Sequence, residues 1–334
     1  MTSRCNARQG RAIGTPEKKY VDKRDWKGYE NKLIEGKRKL VEFFLKKPTK
    51  EELETELAEM NEGKVGRPFE IPDSILNFSE FFKHRFSIDD RTEVLFISSL
   101  LNSILGTCRE FDHSAIVKRR TNLEFDLPFK ISPERLDGKT LYFDGMCLRV
   151  GRGGYYRSKR YHTKVKYLRI GLFTDDKGKV IDFVIGDEHD AEVNMIREKM
   201  PQIKRSKSKA MVIDGAGSAK DIITDLTKNR IKPIIPVSEA VVNSMKNKPP
   251  PNVCIKKKEY EEIVWEKYVK EQDDYEKWRK ATNYSSRWVF SEGKISSFKR
   301  MFGEEAVSRT QKALHDEICI KFMLLDGLVP NLWK

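Results

Sequence analysis

No apolar run in this chain approaches the ~18 consecutive residues that a membrane span needs, and the opening MTSRCNARQGRAIGTPEKK lacks the apolar stretch of a secretory signal. Neither a membrane protein nor a secreted one is expected. Cysteine is scarce: five, at 5, 108, 147, 254 and 319, with no two in a C-x-x-C pair. That argues against a zinc site or a disulfide framework and fits free thiols in a reducing cytoplasm. His84, His113, His162 and His315 show no ligand spacing. Neither GxxxxGK(S/T) nor GxGxxG occurs, so the glycines of Gly151-Arg-Gly-Gly154 mark a turn, not a nucleotide loop. GxSxG is absent too, and no cysteine stands beside a candidate base, which argues against nucleophilic catalysis by the protein. No repeat of fixed period is visible.

What is abundant is charge. Of 334 residues, 38% are apolar and 35% charged, with 65 Lys and Arg against 51 Asp and Glu, a net charge of +14. The apolar share suffices for a sizeable core, and the length predicts two or three domains. The basic excess favours a polyanionic partner, nucleic acid first; the competing reading is a solvated Lys/Glu surface. The excess is uneven: residues 1–50 hold 15 Lys and Arg against 6 Asp and Glu.

The first 16 residues have no apolar period and read as a disordered basic arm. Residues 17–136 read as a mainly helical region for DNA binding or dimerisation. Leu33, Leu40, Val41, Phe44 and Leu45 define one helix, ended by Pro48; Thr49 and Glu52 form a capping box for the next. Ile75, Leu76, Phe78, Phe81 and Phe82 mark a further helix. Ser87 and Asp90 read as a capping box before the apolar helix that ends at Gly106. Asp112 then caps HSAIVKRR, whose exposed tip carries Lys118, Arg119 and Arg120. This group has the outline of a helix-turn-helix, an outline many small helical domains share.

From Lys139 the period changes. Strands are expected at Leu141–Val150, Val165–Phe173 and Lys179–Gly186, then a helix closed by Pro201, a buried strand at Ala210–Ile213, a helix, and a strand from Ile231. A meander followed by crossovers gives a mixed-sheet, three-layer α/β domain over 137–325. It is interrupted at about 238–283 by a charged, aromatic insertion. Long helices return at Ser285–Phe302 and Glu304–Leu325, and 326–334 is a tail.

Asp144 lies inside an apolar strand and Asp214 at the end of another. A strand-core carboxylate is costly unless paired, hydrogen-bonded or on a metal. If the first and fourth strands are neighbours, the two project side by side and repel. A divalent cation is then the natural third party, Mg²⁺ or Mn²⁺ for oxygen ligands. The competing reading of each is an ordinary satisfied carboxylate.

Three segments, Tyr142-Phe-Asp144-Gly145, Val212-Ile-Asp214-Gly215-Ala216-Gly217-Ser218 and Tyr284 to Lys299, resemble those of DDE transposases of prokaryotic insertion sequences. The resemblance covers roughly residues 65–325. It implies a ribonuclease H-like core and a metal-binding triad of Asp144, Asp214 and Glu292 on two Mg²⁺ (or Mn²⁺) ions. It also implies action on double-stranded DNA, both transposon ends and target, by a homodimer in a synaptic complex inside a prokaryotic cytoplasm. The family's C-terminal signature is Tyr, two residues, Arg, three residues, Glu, six residues, Lys. This chain has the two and the six, but four residues between Arg287 and Glu292.

Glu292 and Lys299, seven apart, fall nearly in line on a helix, beside an apolar stripe of Trp288, Ile295, Phe298 and Phe302; a helical Arg287 would point about 140° away from Glu292, and the alternative is that it lies before the helix. DNA contacts are expected from Lys299, Arg287 and Tyr284, from an acid-free strip holding Arg149, Arg152, Arg157, Lys159 and Arg160 with interleaved tyrosines, and from Lys118, Arg119 and Arg120 in a major groove. His189-Asp190 reads as structural. The activity implied is cleavage at transposon ends and strand transfer. The rivals are a catalytically inactive DNA-binding descendant and a ribonuclease H-like DNA nuclease.

Overall fold

Lys139, where the hydrophobic period changes from helical to alternating, is also where the sheet begins. The computed structural model describes residues 26–120, 122–123, 128–150, 166–246, 260–308, 310–330 and 332. The arm at 1–16 and the strip at 151–165 lie outside the described residues. Five helices come first: α1 (Trp26–Leu45), α2 (Lys50–Asn61), α3 (Asp73–Phe86), α4 (Asp90–Leu105) and α5 (His113–Arg120). The Thr49–Glu52 capping box forms in both directions. Asp112 caps α5 through the Ala115 N–H at 3.1 Å. Ser87 does not cap α4. It adopts φ 53° as the left-handed residue that closes α3, and Asp89 takes the cap by accepting from the Arg91 and Thr92 amides. Asp90 is then free to pair with Lys83 on α3.

A short helix α6 (Pro133–Leu136) leads into β1 (Thr140–Val150), β2 (Lys166–Thr174) and β3 (Val180–Asp187). Then follow α7 (Glu192–Arg205), β4 (Ala210–Val212), α8 (Lys220–Lys228), β5 (Lys232–Ile234), α9 (Glu239–Lys246), α10 (Tyr260–Lys270) and α11 (Tyr275–Thr282). The chain ends in α12 (Gly293–Phe302), β6 (Glu305–Ala306) and α13 (Gln311–Asp326). Helix α7 runs through Pro201 instead of stopping there. Its buried stripe of Met195, Ile196, Met200 and Ile203 spans the proline, and packing outweighs the lost N–H. The segment after Phe302 is not continuous helix. Gly303 at φ 76° breaks it, Glu305–Ala306 pairs with β1, and Thr310 caps α13.

The sheet order is β3-β2-β1-β4-β5, with β6 beside the far end of β1. β1, β2 and β3 are antiparallel neighbours, while β4 and β5 run parallel to β1. Alternation along β1 builds three layers. Leu141 and Phe143 face α7 and α8 with Met195, Ile196 and Ile223; Met146 and Leu148 face Phe298, Ile318 and Phe322 of α12 and α13. This is the expected mixed-sheet α/β core, ribonuclease H-like, behind a helical N-terminal region. That region has no core to itself: Phe43, Leu53, Ile75, Phe81, Ile97 and Leu101 belong to one continuous apolar cluster with Phe298 and Phe322. Tyr268 and Trp278, in the stretch read as an insertion, are buried. Among the described residues no helix is long and apolar enough to cross a membrane.

Candidate active site

Register places the first two carboxylates. β1 and β4 pair as Thr140↔Ala210, Leu141↔Met211 and Tyr142↔Val212, so Asp144 and Asp214 each stand two residues past the last pair, just beyond the point where β4 ends beside β1. Burial, only partly countered by Arg287, pushes the Asp144 carboxyl up to about 6. Asp214 caps the tight turn Gly215–Gly217, taking the Gly215 amide at 2.5 Å, and lies 3.4 Å from the Tyr284 hydroxyl. Burial raises the Tyr284 phenol well above its ordinary value, so it stays a neutral donor.

The third carboxylate arrives on a distorted helix. Residues Trp288–Glu292 form a π-helical turn, closed by the Gly293 N–H donating to the Trp288 carbonyl. Such a turn is an extra residue inside an otherwise α-helical path. It absorbs the additional residue between Arg287 and Glu292. In α-helix five residues would leave the two side chains about 140° apart; here Arg287 Nη2 lies 2.5 Å from Glu292 Oε1. The Thr174 hydroxyl fixes the turn to β2 by donating to the Phe290 carbonyl at 3.0 Å. The same geometry corrects the expected apolar stripe: Phe298 and Phe302 are buried, but Trp288 is rotated outward and 62% exposed.

Arg287 is thus the hub of the site. Besides Glu292, its guanidinium approaches Asp144 Oδ2 at 3.5 Å and Asp214 Oδ2 at 3.7 Å. It is buried, and its Nε has no hydrogen-bond partner. These groups line a cleft of about 500 Å³ with Gly145, Ile295, Ser296, Lys299, Arg300 and Glu304. Lys299 shares it with Glu292, as their spacing predicts, and pairs with Glu304 at 3.0 Å. Glu192, at the start of α7, was not singled out in the sequence; its charge reaches Asp144. The signal for it was the glycine next to Asp144.

The donor set suits a hard divalent cation: all oxygens, on three separate elements, one held toward its neutral form by burial and near other carboxylates. Among the described residues no three such groups converge on one point as placed, because the Arg287 guanidinium stands between them.

Other basic residues fare differently. Arg119 and Arg120 are not at an exposed tip. Arg119 pairs with Asp73 at 2.7 Å and lies over the Phe69 ring; Arg120 reaches Glu80 at 2.9 Å, Glu93 at 2.8 Å and Asp90 at 3.3 Å. Desolvation at Glu80 and Glu93 makes inward pairing the better use of these cations. Lys118 is exposed. Arg149 pairs with Glu305. Arg152, Arg157, Lys159 and Arg160 lie outside the described residues. Asp190 accepts the Asp187 amide at 2.8 Å and shapes the turn, while the His189 side chain is largely exposed.

A mixed sheet of this order with helices on both faces is the ribonuclease H-like fold. Residues 136–326, more than half of the chain, match the family described as Transposase DDE domain. The chain belongs to that family of transposases, which act on DNA and generally use divalent metal ions. No curated protein matches it.

Proposed function

We propose that this transposase cuts DNA at transposon ends to free a 3′-OH and transfers that end into target duplex. The observation that carries the reading is the gathering of Asp144, Asp214 and Glu292 around one buried arginine in one cleft. The three carboxylates would hold two Mg²⁺ or Mn²⁺ ions. Bound there, such ions supply a water of lowered pKa and neutralise charge on the attacking and leaving oxygens. The rest is the work of the chain's own groups. Asp144 must be ionised to serve, which its neighbour Arg287 favours. Tyr284 orients Asp214 through its hydroxyl. Arg287 and Lys299, on one wall of the cleft, offer positive charge to a backbone phosphate. Joining two ends calls for two copies of the chain, so a homodimer is the working unit.

The irregular Arg287–Glu292 spacing is the feature that favours an inactive DNA-binding descendant. The π turn removes that objection, because Arg287 and Glu292 touch. A strand-transfer assay with Mg²⁺ and the element's own ends separates the readings. Joined product supports the proposal, nicking without joining supports a nuclease, and binding alone supports the inactive descendant.

A further inference from the structure

We propose that Glu192 is a fourth carboxylate of the cation-binding cleft, admitted to it because residue 145 is a glycine. The inference rests on the reading of Asp144, Asp214 and Glu292 as cation ligands. Alternation along β1 turns residue 145 away from the Arg287 side and toward α7, the side of Phe143 and Met195. A Cβ built on Gly145 would fall 2.3 Å from Glu192 Oε1 and 2.8 Å from its Cδ. The carboxylate therefore fills the space a side chain would take, beside the Asp144 backbone. It sits in the first turn of α7, where the helix dipole favours an anion and where Ala191 supplies no side-chain cap.

The charged groups that face Glu192 come from three other elements: Arg169 on β2, Asp214 after β4, and Arg287 before the π turn. Asp144 on β1 feels it in turn. Arg169 belongs to this face of the sheet, since it pairs with Cys147, two residues on from Gly145. Its Nη1 donates to the Asp190 carbonyl at 3.0 Å. Among the described residues none donates a hydrogen bond to the Glu192 carboxylate or forms an ion pair with it. A half-buried carboxylate with no partner among the described residues, placed where it repels two others, is unfavourable unless a cation joins them. Four oxygen-donor side chains from β1, α7, the β4 turn and the π turn then surround the cleft's cations.

The test is Mn²⁺ binding to the full chain without DNA, followed by the free Mn²⁺ EPR signal, with the Mn²⁺-induced rise in melting temperature as a second readout. Glu192→Gln is expected to weaken Mn²⁺ binding about 10- to 100-fold, the range for losing a carboxylate that ligates or orients. Gly145→Ala keeps every charge but puts a methyl in the carboxylate's space, and is expected to weaken Mn²⁺ binding in the same direction. Glu198→Gln, on the exposed face of the same helix, is the control and should bind as wild type. Wild-type affinity in both Glu192→Gln and Gly145→Ala, alongside loss in Asp144→Asn, overturns the role of Glu192 and leaves the three-carboxylate reading standing. Wild-type affinity in Asp144→Asn overturns both. If Glu192→Gln fails to fold, Glu192→Asp takes its place, and wild-type affinity there and in Gly145→Ala overturns the proposal.

Discussion

Replacing Arg287 by Met should destabilise the metal-free protein and do so much less once Mn²⁺ is present. The guanidinium holds three carboxylates whose side chains are 13%, 46% and 37% exposed. Breaking a fully buried pair costs about 3–5 kcal/mol, whereas exposed pairs contribute about 0–1 kcal/mol each. Only the Asp144 contact approaches the buried limit, and removing the arginine also relieves its own desolvation, including that of the unpartnered Nε. A net loss of roughly 2 kcal/mol follows from those ranges. For 334 residues, at about 2.1 cal/mol/K of unfolding entropy per residue, that is a fall of roughly 3 °C in melting temperature. Divalent ions supply the charge that Arg287 supplied, and the methionine does not repel them. The Mn²⁺-induced rise in melting temperature should therefore be larger in the variant than in wild type, shrinking the deficit by at least half. Paired thermal melts, with and without saturating Mn²⁺, read this directly. An equal deficit in both conditions would refute the reasoning, because it would mean that guanidinium and cation do not compete for the same carboxylates.

Asp144→Asn, Asp214→Asn and Glu292→Gln should each abolish DNA cleavage in a nicking assay, and any pair should cost little more than one, since the ligands act as a unit. Deleting Val289, 68% exposed in the π turn, should restore α-helical winding, keep the Arg287–Glu292 contact and leave the melting temperature unchanged or higher; a variant that does not fold would show that the turn holds more than this pair. Burial opposes ionisation of Glu317, but Lys321 and His84 bring its pKa from 4.5 down to about 2. With the folded value depressed, its stabilisation of roughly 3 kcal/mol is present above pH 4.5 and is lost as pH falls toward 2. The gap between the denaturant midpoints of wild type and Glu317→Gln should accordingly narrow below pH 4.5 and close as pH falls through about 2; a constant gap would contradict the pairing.

Asp144 and Asp214 were legible because each interrupts an apolar run, and a carboxylate in such a place advertises a partner. Their juxtaposition needed only the inference that β1 and β4 are neighbours, which the register fulfils. The place of Arg287 stayed open because helical-wheel arithmetic assumes one pitch, and a π turn changes the pitch at the very residues in question. Glu192 escaped notice for a different reason. Its approach depends on a missing Cβ on another strand, and nothing within its own segment marks it. Arg119 and Arg120 looked like an exposed basic tip because their partners, Asp73, Glu80 and Glu93, lie 27 to 46 residues earlier on other helices, where local sequence gives no sign of them. Trp288 joined the apolar stripe on paper and left it in the fold, again through the π turn.

The inward turn of Arg119 and Arg120 changes what the helical region does for the site. It ties α5 to α3 and α4 through Glu80, Asp90 and Glu93, with Lys83 and His84 completing the network at 3.3 Å from Glu93 and 3.2 Å from Glu80. α3 in turn packs on α13, where His84 faces Glu317. α13 holds α12 through the Phe298–Phe322 ring contact at 5.0 Å and the Lys294–Asp326 pair, and Asp326 also takes the Val180 amide of β3 at 2.7 Å. α12 continues directly from the π turn that carries Glu292, and it carries Lys299. A continuous path of packed and paired groups therefore runs from the N-terminal helices to the third carboxylate. In such a path the helices act as a brace for the helix that carries Lys299 and follows Glu292. A substitution at Arg120 should consequently lower cleavage through the position of Glu292, not through DNA affinity alone.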